Sequence, residues 1–232
     1  MSAQEEFWSK YYGDVVKSGN AWLDYSNERV QSQTFGLALE AAGPIRTKRC
    51  LDVGCGWGHF CRVLDALGAA SVTGLDIVPE MIAHHEREYP QIRWICSGVN
   101  EDDLSQRLDS CDVAFLLEVL QYLPFPDALR AVWNRIVPGG RIVAVVPNAN
   151  CSIVSRTRAR FGDRYAPLTV AAIATELATW PDLEHVWYRG WSFGRDQQHV
   201  PYEISPWRIS GGWDGEPNRF QFVAIKRAAA LL

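Results

Sequence analysis

The chain has 232 residues, carries a net charge of −4, and 47% of its residues are hydrophobic. That length and apolar content suit one globular domain with a sizeable core. The slight acidic excess removes any general electrostatic reason to bind nucleic acid or an anionic membrane. No run approaches the roughly 18 apolar residues of a membrane helix, and the opening Met1-Ser2-Ala3-Gln4-Glu5-Glu6 lacks the basic-then-apolar layout of a secretory signal. The expected location is therefore the cytoplasm. Six cysteines (Cys50, Cys55, Cys61, Cys96, Cys111, Cys151) form no C-x-x-C pair; they read as buried free thiols, and no metal is expected.

Residues 1–44 read as a helical extension. Phe7, Tyr11 and Val15 make one apolar stripe, interrupted by Gly13 and Gly19; a second helix from about Asn27 carries Val30, Phe35, Leu37 and Leu39 and stops at Gly43-Pro44. From Lys48 onward strand and helix patterns alternate, which predicts a parallel sheet covered on both faces. Cys50, Leu51 and Val53 end the first strand, while Phe60, Val63, Leu64 and Leu67 recur at helical spacing. Between them Asp52-Val53-Gly54-Cys55-Gly56-Trp57-Gly58 turns a strand into a helix with almost no side-chain bulk, so the backbone can approach a ligand and present N–H groups to it. The third glycine of a G-x-G-x-x-G dinucleotide fingerprint would fall on His59, and no G-x-x-x-x-G-K-[ST] loop occurs.

The next strand, residues 72–77, ends in Asp76, whose carboxylate can accept both hydroxyls of a ribose. D-x-G-x-G-x-G followed by an acid at the end of the second strand resembles motif I of the class I S-adenosylmethionine-dependent methyltransferases, over about residues 45–148. The resemblance implies an α/β, Rossmann-like doubly wound seven-stranded sheet, mostly parallel with an antiparallel seventh strand, plus the N-terminal helical extension. It also implies a single methyltransferase domain over 1–232: a lid at 1–44, a cofactor-binding core at 45–148, and a substrate-side part at 149–232. The cofactor is S-adenosylmethionine, with S-adenosylhomocysteine as product, and its implied contacts are Asp52, Gly54, Cys55, Gly56, Asp76, Ile77, Asn100, Leu117 and Glu118. In such proteins the N-terminal extension often closes over the cofactor. Trp8, Tyr12, Trp22 and Tyr25 could then face the sulfonium, an interaction worth about 1–2 kcal/mol when desolvated, and Arg29 the methionine carboxylate; helix packing and a solvated charge are the plainer uses of these residues.

Pro79 opens a helix that ends before Pro90. Adjacent helix residues point about 100° apart, and no third ligand is near, so His84 and His85 are expected at the surface. Residues 92–96 form the third strand. Where the family places an acid near the adenine, Gly98-Val99-Asn100 stands here, and Asn100 can offer an amide instead. Residues 112–117 are an apolar central strand; the segment Glu118-Val119-Leu120-Gln121-Tyr122-Leu123 after it resembles the family's E-V-L-E-H-L, with Gln121 and Tyr122 in place of Glu-His. Leu129, Val132, Trp133 and Ile136 give a helix face, Val137-Pro138-Gly139-Gly140 breaks it, and residues 141–146 form the fifth strand.

Arg156, Arg158, Arg160 and Arg164 suit a solvated helix face, or an anionic acceptor group. Thr169 is expected to cap a helix through Leu177, and residues 184–191 and 220–225 are the sixth and seventh strands. The connection between them, 192–219, is long and aromatic, which points to an acceptor pocket or a dimer contact. The activity implied is methyl transfer to an oxygen or nitrogen of a small-molecule acceptor, with Tyr122 and His199 as candidate catalytic residues and Glu203 as another base. An RNA or protein methyltransferase, and a catalytically silent cofactor-binding partner protein, are the alternatives. Neither the [DNS]-P-P-[YF] segment of base amino-methyltransferases nor the Pro-Cys nucleophile of cytosine enzymes is present where each would stand. No membrane association is expected, and a homodimer is left open.

Overall fold

A computed structural model describes residues 3–17, 28–151, 154–191, 204–210, 212–213 and 217–229. Its seven strands lie in the order β3-β2-β1-β4-β5-β7-β6: β1 Arg49–Val53, β2 Ser71–Asp76, β3 Arg93–Cys96, β4 Cys111–Leu117, β5 Ile136–Pro147, β6 Leu183–Trp191 and β7 Arg219–Lys226. The helices are α1 Ala3–Lys17, α2 Glu28–Ala42, α3 His59–Ala66, α4 Pro79–Glu88, α5 Glu101–Arg107, α6 Asp127–Trp133, α7 Val154–Phe161 and α8 Val170–Leu177. The chain divides into two compact units, Met1–Gly98 and Val99–Leu232.

In the first unit β1 and β3 both pair in parallel with β2. Parallel strands are covered on both faces, so β1 and β2 are buried along their whole length past the first residue. The helix α3 packs on β1 and β2, and α4 on β2 and β3. Pro79 sits in the first turn of α4, where its missing N–H has no partner to lose. Gly13 does not interrupt α1, which runs through it at a cost of about 1 kcal/mol relative to alanine. Phe35 of α2 meets Phe60 of α3 with ring centroids 4.8 Å apart.

In the second unit β4 pairs in parallel with β5, while β7 is antiparallel to both β5 and β6, as the family resemblance implies for the seventh strand. Thr169 caps α8, its Oγ1 accepting from the Ala172 N–H at 3.1 Å. Two expectations change. A helix, α5, follows β3 where the sequence pattern gives none, anchored by the buried Leu104. Ile136 does not continue α6, which ends at Trp133; it opens β5, and the Pro138-Gly139-Gly140 stretch lies inside that strand.

The physical reason is a bulge. The register with β4 jumps from Cys111↔Ile136 to Val113↔Arg141, and the extra β5 residues are absorbed where a Cβ on Gly140 would lie 2.7 Å from the Asp112 carbonyl oxygen. Because that oxygen is backbone and cannot swing aside, Gly140→Ala is expected to destabilise the fold by about 1–3 kcal/mol, read as a lowered urea midpoint. An unchanged midpoint would show that the bulge can relax.

Candidate active site

The glycine loop follows β1 because Gly54, Gly56 and Gly58 all take positive φ (68°, 50° and 66°), a region that costs an L-residue strain. Its N–H groups turn inward. Gly54 and Cys55 both donate to the Leu75 carbonyl (2.8 and 3.0 Å), and Gly58 donates to Cys55 (2.8 Å). Gly56 donates to Asp76 Oδ2 at 2.9 Å. The loop is therefore welded to the end of β2, and the expectation that it presents these N–H groups to a ligand is corrected: at these four positions the donors are spent within the protein.

Asp76 is the hub of that arrangement. Its Oδ1 accepts from Val78 N at 3.1 Å, and the Ile77 N–H also reaches the carboxylate. Burial raises the Asp76 pKa, and the three backbone donors oppose that rise by stabilising the anion. Each carboxylate oxygen accepts two bonds with ease, so with three backbone donors in place capacity for one further hydroxyl donor remains. Ile77, half-exposed, follows it.

From the extension, Trp8 packs edge-on to Tyr11 and tilted against Tyr12. Tyr12 in turn meets Trp57 of the glycine loop edge-to-face at 5.8 Å. The Tyr12 hydroxyl would lie 3.8 Å from a Cβ on Gly56. Trp22, Tyr25 and the Arg29 side chain lie outside the described residues.

In the second unit Leu117 ends β4 and Glu118 follows with φ 59°, a left-handed conformation unusual for glutamate. Glu118 is pinned by its backbone, its N–H donating to Val145 O (2.9 Å) and its carbonyl accepting from Gln121 Nε2 (2.6 Å). Its carboxylate pairs with the Arg219 guanidinium from β7, which also lies over the Trp191 ring at 5.6 Å. Tyr122, in a short 3₁₀ turn at Leu120–Tyr122, contacts Phe161 (5.7 Å, edge-on) and Tyr165 (5.6 Å). Burial, with a smaller contribution from the Glu118 charge, pushes the Tyr165 phenol up to about 12. Asn100 is exposed at the start of α5, where its carbonyl accepts from Leu104 N.

A sequence model of the methyltransferase domain family matches residues 27–206. The chain belongs to that family. It is of the class I, S-adenosylmethionine-dependent type. A ubiquinone biosynthesis O-methyltransferase of Cronobacter sakazakii is 30% identical over 139 residues, 56% of each chain; the methyltransferase thus spans little more than half the length of the curated relatives it matches. Among solved structures, the plantazolicin methyltransferase BamL, in complex with a triazolic desmethylPZN analog and S-adenosylhomocysteine, superposes with a TM-score of 0.66 at 16% identity, over 97% of this chain and 96% of that one. A Thermotoga maritima methyltransferase described as a possible histamine N-methyltransferase gives a TM-score of 0.63 at 12% identity, over 93% and 98%. These two establish the shared fold.

The residues of the chain fit the cofactor that the family implies, S-adenosylmethionine. The glycine-rich loop and a carboxylate fixed by backbone donors suit a nucleoside hydroxyl. Asp52 lies beneath the loop, 3% exposed, and Cys61 Sγ donates to its Oδ2 at 3.3 Å. His199 and Glu203 lie outside the described residues, as does the Arg156 side chain; Arg158, Arg160 and Arg164 are exposed. Among the described residues no group of three His, Cys, Asp or Glu side chains is placed to hold a metal, and no helix is long and apolar enough to cross a membrane.

One histidine departs from its expected place. His84 is exposed, but His85 is 1% exposed, with Nε2 2.8 Å from the Gly56 carbonyl oxygen. The correction has a simple cause: Val78, Ile82, His85 and Tyr89 recur at i, i+4, i+7 and i+11, so His85 belongs to the apolar stripe of α4. That spacing was the available signal for it. Arg219 and Tyr165 had no comparable local signal.

Asp52 also makes the methyltransferase sensitive to pH. Burial raises its pKa to about 7 from 3.8, against the bond from Cys61. The folded protein thus holds a proton that the unfolded chain releases near pH 4, so this contribution to stability is complete below about pH 4 and is lost as pH rises to about 7. Asp52→Asn, whose oxygen can still accept from Cys61, is expected to flatten the stability profile across pH 4–7 and to gain on the wild type at pH 8. Parallel urea midpoints for the two proteins across that range would contradict the assignment.

Proposed function

We propose that the protein transfers the methyl group of S-adenosylmethionine to an oxygen or nitrogen of a small-molecule acceptor. The observation that carries this reading is Asp76 locked into the glycine loop through Gly56, which leaves a fixed carboxylate for a ribose hydroxyl. Bound S-adenosylmethionine supplies a methyl carbon activated by positive sulfur, so an acceptor lone pair displaces a neutral thioether in line. The chain's own task is alignment and exclusion of water. Gly54, Cys55, Gly56, Asp76 and Ile77 serve the cofactor from the first unit, with Asp52 supporting the loop.

For the acceptor, the Tyr122, Phe161 and Tyr165 rings favour a flat or apolar body. Tyr122 orients the acceptor through its hydroxyl. The acidic net charge and the O-methyltransferase relatives support a small molecule over a nucleic acid, and the buried cysteine thiols suit a reducing cytoplasm. Two measurements test the reading. Calorimetry should find S-adenosylhomocysteine binding, whose absence would sink the cofactor assignment. Methyl-labelled donor with a phenol, catechol and amine panel should label a small molecule; label appearing only on protein or RNA would overturn the acceptor class.

A further inference from the structure

We propose that His85 is a positioning residue that, backed by Trp94, clamps the Gly56 peptide and so presets the glycine loop for its ligand. The starting point is the tautomer. A carbonyl oxygen only accepts, so the 2.8 Å contact from His85 to Gly56 O requires the proton on Nε2. Nδ1 is buried and has no partner. A second proton there would have nowhere to donate, and burial, aided by the nearby Arg62 cation, holds the imidazole below its usual pKa. His59, which also feels His85, shares its Nδ1 with Arg62. His85 is therefore a fixed neutral donor.

Its effect follows from what Gly56 does with its other end. The Gly56 N–H goes to Asp76 and its carbonyl receives from His85, so the residue is held from β2 and from α4 at once. A glycine with φ 50° between two other left-handed glycines is otherwise free to visit many conformations, and fixing each residue costs about 1–2 kcal/mol. The clamp meets that cost before a ligand arrives, which is preorganisation.

Trp94 supplies the floor. It stands opposite Gly74 in the β2–β3 register, and a Cβ on Gly74 would lie 2.5 Å from its ring. The same ring lies 2.8 Å from a Cβ built on Gly58, and 4.6 Å from the His85 ring between centroids. Its indole N–H is tied to the Tyr89 carbonyl at 3.0 Å. The glycine at 74 and the glycine at 58 thus accommodate one indole, and that indole keeps His85 upright beneath Gly56.

This inference rests on the methyltransferase reading only for the choice of probe. His85→Gln places an amide donor near the Nε2 position, His85→Asn places one near Nδ1, and His85→Leu fills the space without a donor. In calorimetry with S-adenosylhomocysteine, His85→Leu and His85→Asn should bind about tenfold more weakly, and His85→Gln within about threefold of wild type. In the ligand-free proteins, amide hydrogen exchange over residues 54–58 should quicken in the first two variants and not in His85→Gln, with β1 unchanged. Equal affinity and loop protection in His85→Asn and wild type would overturn the clamp, as would a His85→Gln protein as impaired as His85→Asn, which would mean that ring volume alone matters. If the wild type fails to bind the probe, the cofactor reading falls, and the exchange comparison in the free proteins still decides the clamp. Should His85→Leu not fold, the Gln and Asn pair carries the test.

Discussion

Replacing Asp76 with alanine is expected to weaken S-adenosylhomocysteine binding by about a hundredfold. One hydroxyl bond to a carboxylate, at about 1.5–3 kcal/mol, corresponds to one to two powers of ten in affinity. A second loss adds to the first, because Gly56 and Val78 N–H groups then face an empty site and the loop loses its tether to β2. Stability should suffer much less than affinity: burial of this carboxylate opposes its ionisation, so removing it relieves a desolvation cost while it orphans those donors. Asp76→Asn separates the two effects. The amide keeps the volume but offers one acceptor oxygen where two were used, so its affinity should fall between wild type and Asp76→Ala. Calorimetry on the three proteins, with thermal melts alongside, decides the matter. An Asp76→Ala protein that binds within threefold of wild type would remove Asp76 from the site.

Arg219→Met should cost about 3 kcal/mol of stability, the penalty typical of stranding one member of a buried pair. The Glu118 and Arg219 side chains are only 20% and 18% exposed. Glu118 cannot escape to solvent by turning its backbone, since Val145 and Gln121 hold it in the left-handed conformation. Its charge is therefore left without a partner, and the loss should appear as a lowered urea midpoint with an unchanged slope. The double variant Arg219→Met/Glu118→Gln removes the charge as well and should recover at least half of the loss. A single variant as stable as wild type would mean that water reaches Glu118 freely.

Sequence patterns revealed the glycine loop, the acid at the end of β2, most of the strands and the cap of α8 because those features are written locally: a motif, an apolar run, a capping threonine. Features built by distant pairing were not legible in the same way. Arg219 lies 101 positions from Glu118, and no spacing rule connects them. Ile136 fell on the helix face of Leu129 and Val132 by coincidence of period; the bulge at Gly140 that draws it into β5 is a property of two strands together. The helix α5 was hidden by its polar surface, with Leu104 as its main apolar anchor. His85 is legible only through the stripe it shares with Val78, Ile82 and Tyr89, because its neighbour His84 points to solvent.

The place of β7 has a consequence for synthesis. It follows β6 in the chain, yet it lies between β5 and β6 and pairs with each along its length. A ribosome delivering this chain in order releases β6 while the strand that pairs with it along its length is still unmade. Until residues 219–226 emerge, β5 and β6 both expose unpaired edges, the condition that invites association with other nascent chains. Completion of the sheet therefore waits on this one late insertion, and truncation before residue 219 should yield aggregates instead of a shortened protein.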